Sequence, residues 1–210
     1  MSANRNTGDV QGILLAAGSA TRFGSDKLMH PLADGTPIAI RSARNLMAAL
    51  PGSIAVVRSG DSALARRLRE EGLAVIECPE AAEGMGRTLA AGVKASENAA
   101  GWVVALADMP FLQPATIAQV TERLRQGDSI VAPSYRGERG HPVGFSAQWC
   151  VALASSSGDE GARALLKKQR ERIALLETED PGVVRDIDTR ADLNTVDPAN
   201  PPQPPNKKKP

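Results

Sequence analysis

The stretch VQGILLAAGSATRFGSDK, residues 10–27, decides the fold of this chain. Its first seven residues are mostly apolar and predict a buried β-strand. A loop of small residues follows at once and carries two cations, Arg22 and Lys27. Small residues let backbone N–H groups approach an anion closely, and the cations add fixed positive charge. The loop is either a phosphate cradle or a surface turn with two solvated cations, and its position directly after a buried strand favours the cradle.

Beyond this strand, apolar runs alternate with segments of helical spacing. Strands are predicted at residues 10–16, 54–57, 73–77, 102–107, 130–133, 143–146, 173–177 and 184–187, the last two at sheet edges. Helices are predicted at residues 38–50, 62–71, 87–96, 114–126, 159–170 and 190–196. This alternation predicts an α/β fold with a mostly parallel sheet and helices on both faces. Ligands of such sheets bind outside the carboxyl ends of the strands, so the residues after each strand are the candidates for function.

Length and charge narrow the class of protein. The 210 residues suit one large domain, predicted at residues 10–197, between a disordered arm at 1–9 and a disordered Pro/Lys-rich tail at 198–210. Lys and Arg total 25 and Asp and Glu total 24, so the balance gives no general attraction to nucleic acid or to an anionic membrane. The polar start lacks a signal peptide's apolar core, no apolar run could span a bilayer, and the two cysteines fit buried thiols. We therefore expect a cytoplasmic protein.

Two aspartates follow predicted strands. Asp108 comes after the apolar run 102–107 and precedes a turn stiffened by Pro110, so it is either a ligand of Mg²⁺ or a cap of that turn. Its place at the end of a fully apolar strand favours the ligand. Asp188 follows the run 184–187 and is either a second ligand or the N-cap of the helix predicted at 190–196, and the residues alone leave both open.

Two loops complete the candidates. Gly84-Met85-Gly86 is either a tight turn into a helix beside a base or ribose, or a plain loop, and Leu89 excludes the dinucleotide fingerprint because it stands where the third glycine belongs. His141 lies in a loop shaped by glycine and proline, Arg139-Gly-His-Pro-Val-Gly144. Lone histidines are more often structural than functional, but this setting is compatible with ligand binding.

Taken in order, the motifs resemble a known family. L-A-A-G-x-x-x-R-F-G-x-D-K, G-M-G, A-D-M-P, R-G-H-P-V, G-D-E-G-A-R and D-I-D-T run from Leu15 to Leu193 and resemble the MobA-like NTP transferases, in particular the molybdenum cofactor cytidylyltransferases. The resemblance implies a Rossmann-like, three-layer nucleotidyltransferase fold. It also implies a Mg²⁺-dependent reaction of CTP with the molybdenum–molybdopterin cofactor, giving molybdopterin cytosine dinucleotide cofactor and pyrophosphate. A molybdoenzyme that receives the cofactor would then be a partner.

The resemblance also assigns roles to residues. Mg²⁺ would be bound by Asp108 and Asp188, and the catalytic residues would be Arg22, Lys27 and Asp108. The nucleotide would be held by Leu15, Ala16, Ala17, Gly18, Arg22, Lys27, Gly84 and Gly86. The molybdopterin-type phosphorylated substrate would contact His141, Pro142, Gly144, Asp159 and Arg163.

Two positions discriminate among relatives, and a third departs from the family pattern. Asp26 stands where sugar-nucleotide and methylerythritol cytidylyl enzymes typically have proline, and Ala17 replaces the glycine typical of the guanylyl branch. Arg87 departs from the small hydroxyl residue usual after G-M-G, and an added cation there would contact phosphate or alter the substrate. The alternatives are a guanylyltransferase or another NTP transferase of this fold with a different acceptor, or a non-catalytic carrier of the pterin cofactor. Lys27 and the two aspartates argue against a pure carrier, which needs no metal-bridged triphosphate.

Overall fold

The strand at the start of the chain lies inside the sheet of the computed structural model, which describes residues 9–18, 23, 26–158 and 161–195. Within these residues the sheet has eight strands: β1 Val10–Ala16, β2 Ile54–Arg58, β3 Ala74–Cys78, β4 Gly101–Leu106, β5 Ile130–Tyr135, β6 Glu138–Arg139, β7 Val143–Ser146 and β8 Ile173–Glu177. β1 pairs in parallel with β2 and β4, and β3 extends the sheet beyond β2. The predicted mostly parallel sheet is therefore confirmed.

Helices cover both faces of this sheet: α1 Ile38–Ala49, α2 Ser62–Glu70, α3 Met85–Ala95, α4 Pro114–Arg125, α5 Cys150–Ala154 and α6 Arg163–Lys168. Side chains alternate along β1, so that Leu14 enters the core beneath α1, α2 and α4, while Ile13 and Leu15 enter the core beneath α3, α5 and α6. All three are nearly or fully buried. Two apolar cores on either side of one sheet make the three-layer α/β fold that the sequence predicts.

One half of the sheet changes direction. β7 pairs antiparallel with both β4 and β5, and β5 turns back on β6. The turn between β5 and β6 contains Arg136 and Gly137 at φ values of 53° and 81°, the left-handed conformation that tight hairpins require. β8 then adds to β5 in parallel. Apolar runs alone could not predict this reversal, because they do not indicate the direction of a strand.

The prediction of a strand at residues 184–187 is wrong. The structure has a 3₁₀ turn at Pro181–Val184 and no strand after it within the described residues. The backbone N–H of Ile187 donates to the carbonyl of Asp108 at 2.9 Å, and that of Arg185 donates back to Gly182 at 3.4 Å. The segment therefore bonds to the loop after β4 instead of joining the sheet ladder.

Two predicted helices are shorter or tighter than expected. The helix expected at residues 159–170 is α6, only six residues long, followed by a 3₁₀ turn at Arg170–Arg172, and Gly161 precedes it at a φ of 51°. A 3₁₀ segment at Arg190–Thr195 replaces the helix expected at 190–196, whose last residue lies outside the described residues. The short helix α5 has no counterpart in the predictions.

The two ends of the chain contribute little to the described structure. Of the arm predicted at residues 1–9 only Asp9 is described, and its carboxylate accepts from Arg125 at 2.8 Å. The tail predicted at 198–210 lies outside the described residues. Among the helices that are described, none has the length and apolar character needed to cross a bilayer.

Candidate active site

A lysine and two aspartates meet at the carboxyl end of the sheet. The ammonium of Lys27 donates to Asp108 Oδ2 at 2.8 Å and to Asp188 Oδ1 at 3.2 Å, although these residues are 81 and 161 positions apart in the chain. Only 11% of the Lys27 side chain is exposed. Burial opposes the charge of Lys27, but the hydrogen bonds and negative charges of Asp108 and Asp188 outweigh burial and raise its pKa. The lysine is therefore held as a cation against both carboxylates.

Main-chain hydrogen bonds fix Asp108 in place. Ala107 N–H donates to the carbonyl of Leu15 at 3.0 Å, which continues the pairing of β4 with β1 up to the residue before Asp108. The Ser42 hydroxyl of α1 donates to the carbonyl of Ala107 at 2.9 Å. From the other side, the Ile187 N–H bond described above ties the segment of Asp188 to Asp108 itself. The separation of the two carboxylates is therefore set largely by the backbone.

Asp192 orders the second aspartate. Its carboxylate accepts from the backbone N–H of Asp188 at 3.0 Å and from that of Thr189 at 2.7 Å. The Thr189 hydroxyl adds a third bond, at 2.9 Å. These local bonds hold the backbone at Asp188 while its side chain contacts Lys27.

A third carboxylate, Asp186, joins the cluster. One oxygen each from Asp108, Asp186 and Asp188 can be chosen so that all lie within 4.8 Å of one another. Burial and the charges of Asp188 and Asp108 raise the pKa of Asp186. Asp188 was predicted as a ligand but Asp186 was not, although residues two apart on an extended segment point to the same side.

A first cleft of about 440 Å³ opens beside this cluster, over β1 and β2. Five of the residues predicted to bind nucleotide line it: Leu15, Ala17, Gly18, Lys27 and Gly84. Gly84 has a φ of 112° and lies directly before the start of α3, so the predicted turn into a helix is confirmed. Arg22 lies outside the described residues.

The other residues predicted for this cleft lie beside it. Ala16 is buried in the core, 2% exposed. A Cβ on Gly86 would lie 2.6 Å from backbone atoms of Ser157, so this glycine allows a loop to pack on the start of α3. Gly86 N–H also donates to the carbonyl of Gly158 at 2.9 Å. Arg87, the departure noted in the sequence, pairs with Glu83 at 2.8 Å.

Two polar residues of the first cleft were not predicted from the sequence. Arg58, the last residue of β2, lines it and donates to the carbonyl of Ala17 at 3.4 Å. Thr88, in the first turn of α3, lines it as well. Arg58 could have been found with the rule already applied to β1 and β4, because it stands at the carboxyl end of a parallel strand.

A second cleft, of about 620 Å³, lies on the other side of the carboxylates, over β4 and β7. Two of the residues predicted to contact the acceptor, His141 and Arg163, line it. Pro142 and Gly144 are buried beneath it, and a Cβ on Gly144 would lie 2.9 Å from Leu124 of α4, so Gly144 lets the helix pack on β7. Asp159 lies outside the described residues.

The histidine of this second cleft is held neutral. Burial, assisted by the positive charges of Arg139 and Arg163 and opposed by Asp108, lowers the pKa of His141 to about 4. An imidazole that is neutral at physiological pH can offer a hydrogen bond but no charge.

The two clefts share a wall. Asp108 and Asp188 line both of them, together with Leu15, Met85 and Leu106. Asp186 lines only the second cleft, and Lys27 only the first. The carboxylate cluster therefore stands at the junction between two spaces, each large enough for a small molecule.

Comparison with known proteins shows which family the chain belongs to. Residues 12–173 match the MobA-like NTP transferase domain. The chain belongs to the MobA-like NTP transferase family. It is 30% identical over 200 residues to the purine catabolism protein PucB of Bacillus subtilis, covering 88% of this chain and 94% of that protein. It is 29% identical over 189 residues to the nicotine blue oxidoreductase of Paenarthrobacter nicotinovorans, covering 86% and 92%.

Solved structures agree with this membership. Rv0371c from Mycobacterium tuberculosis superposes with a TM-score of 0.75 at 26% identity, over 89% of this chain and 96% of that one. A structure of the same mycobacterial protein in complex with manganese gives a TM-score of 0.72. As a member of the MobA-like family, the protein is a nucleotidyltransferase, and its two clefts on either side of one carboxylate cluster suit a reaction that joins two molecules.

The cluster fits a divalent cation. Its three carboxylates supply the hard oxygen ligands that such ions prefer, within 4.8 Å of one another. The Lys27 ammonium already bonds to two of them, which shows that the cluster accepts positive charge between Asp108 and Asp188. Asp108, Asp188 and Asp186 are therefore the residues that could hold the metal.

Proposed function

We propose that this MobA-like transferase moves CMP from CTP onto the phosphate of the molybdenum–molybdopterin cofactor, giving molybdopterin cytosine dinucleotide cofactor and pyrophosphate. The observation that carries the proposal is the cluster of Lys27, Asp108 and Asp188 at the junction of the two clefts. CTP would occupy the first cleft and the pterin phosphate would enter from the second. The reaction would take place in the cytoplasm, and a molybdoenzyme would receive the product.

The transfer needs no general base from the protein. A phosphate monoester has a second pKa of ~6, so its attacking oxygen is already deprotonated at neutral pH. That oxygen forms a bond to the α-phosphorus of CTP, while the bond from this phosphorus to the oxygen bridging the α- and β-phosphates breaks. Pyrophosphate leaves with the electron pair of the broken bond. A His141 held neutral by burial is consistent with a site that relies on charge and position.

The main task of the site is then to bring two anions together. Lys27, fixed at the wall of the first cleft, would offset charge on the triphosphate, and Arg58 lies in the same cleft. Mg²⁺ held by Asp108 and Asp188 would add positive charge against the triphosphate and the departing pyrophosphate. Asp186, on the acceptor side, would complete the metal site.

The preference for cytosine rests on Ala17. This residue is buried, 6% exposed, in the wall of the first cleft, where the guanylyl branch typically has glycine. Its methyl group narrows the space for a base, and a site matched to cytosine leaves polar groups unpaired when guanine enters.

Thermal stability and turnover test the proposal together. With Mg²⁺ present, CTP should raise the melting temperature more than GTP does, because a ligand that binds only the folded state stabilises it. Purified molybdopterin cofactor with CTP should then release pyrophosphate. An equal or larger shift with GTP would contradict the cytidylyl assignment, and nucleotide binding without pyrophosphate release would contradict the choice of acceptor.

A further inference from the structure

The acceptor cleft contains two cations that take part in no ion pair within the described residues, Arg139 of β6 and Arg163 at the start of α6. Eight arginines elsewhere in the described chain do pair with carboxylates: Arg41, Arg44, Arg66, Arg67, Arg69, Arg87, Arg123 and Arg125. Both Arg139 and Arg163 act electrostatically on His141, so their charges converge on the same part of the cleft. A guanidinium that faces a cleft without a carboxylate partner is available to an anion.

The other charged side chains of this cleft are acidic and would repel such an anion. Its wall also carries Glu138 and the three aspartates of the cluster. A phosphate that enters to react must approach Asp108 and Asp188 closely, and like charges repel strongly where water is excluded. Among the described residues that line the cleft, Arg139 and Arg163 are the cations that can offset this repulsion.

The backbone at Arg139 is rigidly joined to the carboxylate segment. On its C-terminal side, Gly140 N–H donates to Pro133 of β5 at 2.8 Å, and His141 N–H donates to the carbonyl of Val183 at 2.8 Å. A Cβ on Gly140 would lie only 2.0 Å from that same Val183 carbonyl, so the two segments pack as closely as backbones can. Val183 lies three residues before Asp186. The position of Arg139 is therefore tied to that of the metal-binding carboxylates.

We propose that Arg139 and Arg163 form a two-arginine clamp that binds the phosphate monoester of the acceptor and holds it against the carboxylate cluster. The inference rests on the proposed function and deepens it, because it names the group of the acceptor that the second cleft recognises. A planar guanidinium donates two parallel hydrogen bonds to a phosphate, so two of them can orient the attacking oxygen as well as neutralise its neighbours. His141 lines the same cleft, and its buried Nδ1 has no hydrogen-bond partner among the described residues, so it adds one hydrogen-bonding nitrogen to this part of the cleft.

The clamp predicts a defined split in the kinetics. In Arg139→Ala and Arg163→Ala the KM for the acceptor should rise by about 10-fold to 100-fold, the loss expected for a charged hydrogen bond, while the KM for CTP stays within about 2-fold. Arg136→Ala, in the adjacent hairpin turn, and Arg170→Ala, beyond α6, remove nearby arginines that do not line the cleft and should match the wild type. Arg139→Lys should recover only part of the loss, because an ammonium lacks the paired geometry.

A binding experiment separates this inference from the proposed function. The nucleotide cleft is first filled with a non-hydrolysable CTP analogue and Mg²⁺, and phenyl phosphate is then titrated calorimetrically into the wild type and the four alanine variants. Weaker phenyl phosphate binding in the two clamp variants alone, with unchanged binding of the analogue, supports the clamp. Equal phenyl phosphate binding in Arg139→Ala and Arg136→Ala overturns the clamp and leaves the proposed function standing. Failure of the wild type to bind the CTP analogue overturns the proposed function itself.

Discussion

The two clefts of this protein are built in different ways. The first cleft, which we propose binds the nucleotide, lies over parallel strands, and apart from the shared aspartates its polar residues come from the segment after β1, the last residue of β2 and the first turn of α3. The acceptor cleft lies over the antiparallel strand β7, and its polar residues come from a hairpin, a six-residue helix and a segment outside the sheet. A cleft over parallel strands can be located from the sequence by the strand-end rule, whereas one over antiparallel strands requires knowledge of the pairing.

The largest effect should come from the wall that the clefts share. Asp108→Asn keeps the size of the side chain but removes the charge that binds Lys27 and the metal, so we expect kcat to fall at least about 100-fold, a loss of about 3 kcal/mol. The measurement is pyrophosphate release at increasing Mg²⁺ concentration, with folding checked by circular dichroism. Asp128→Asn, which breaks only the Arg123 ion pair, is the control. A folded Asp108→Asn protein with wild-type rates at low Mg²⁺ would show that Asp108 merely caps its turn.

A pair of glycine substitutions should separate the clefts. Gly140→Ala places a Cβ 2.0 Å from the Val183 carbonyl, so we expect a loss of about 1–3 kcal/mol in the free energy of unfolding and a higher KM for the acceptor. Apart from its chain neighbours, no described residue would lie within 4 Å of a Cβ on Gly18, so Gly18→Ala should leave stability unchanged and raise only the KM for CTP. Denaturant unfolding and the two KM values measure this. If both variants raise the same KM, the assignment of CTP to the first cleft and of the acceptor to the second is wrong.

Lys27→Ala should show that the lysine and the metal neutralise the same carboxylates. In EDTA the variant should lose about 1–3 kcal/mol of stability, less than for a fully buried pair because the side chains of Asp108 and Asp188 are 25% and 35% exposed. Added Mg²⁺ should recover part of that loss, and NTP binding should stay weak. The exposed Lys94→Ala is the control. Equal melting temperatures with and without Mg²⁺ would contradict a shared role.

The acceptor side should also be the more sensitive to acid. In the folded protein the pKa of His141 is about 4, and in the unfolded chain it returns to the ordinary 6.5. Between these pH values the unfolded state binds more protons than the folded state. The free energy of unfolding therefore falls as the pH drops from 6.5 towards 4. Between pH 7 and pH 5 the free energy of unfolding of His141→Gln should therefore fall by roughly 1–2 kcal/mol less than that of the wild type. Urea unfolding at both pH values gives the difference, and His30→Gln measures the cost of removing a histidine elsewhere. Parallel losses in wild type and His141→Gln would show that His141 is not held neutral.

The smallest effect should be on the choice of base. Ala17→Gly removes one methyl group, which is worth at least about 10-fold in discrimination where it packs fully against a ligand. Ala17 is only 6% exposed in the wall of the cleft, so a smaller part of that value is expected here. We expect the ratio of CTP to GTP affinity to fall by a few-fold, with acceptor binding unchanged. Thermal-shift titrations with each nucleotide provide the ratio. A ratio that does not move would mean that other residues of the cleft select the base.

Much of the nucleotide side could be predicted because its signals are local. The apolar run of β1 and the helical spacing of α1 and α4 reproduce the observed elements to within one or two residues. Lys27 and Asp108 were identified by their places after strands. Arg58 obeys the same rule but was missed, because the rule was applied to β1 and β4 and not to β2.

The acceptor side could be predicted only in part, because its determinants are tertiary. Residues 184–187 have the apolar pattern of a strand, but their N–H groups bond to the turn after β4 and to Gly182, which no pattern in the sequence records. Gly144, and Gly86 on the nucleotide side, were interpreted as ligand-binding glycines, yet each lies where a Cβ would collide with a neighbouring segment. Their reason for being glycine is visible only when the two segments are placed together.

The bond from Ile187 N–H to the Asp108 carbonyl has a consequence for how such an enzyme changes over time. Because this bond joins main-chain atoms, substitutions of side chains in the acceptor cleft do not remove it. The hairpin, the short helix and the loop that form the acceptor cleft can thus vary in sequence without rebuilding the metal centre. We therefore expect that substitutions in these three segments can change the acceptor of such a chain while the main-chain link between its carboxylates is kept.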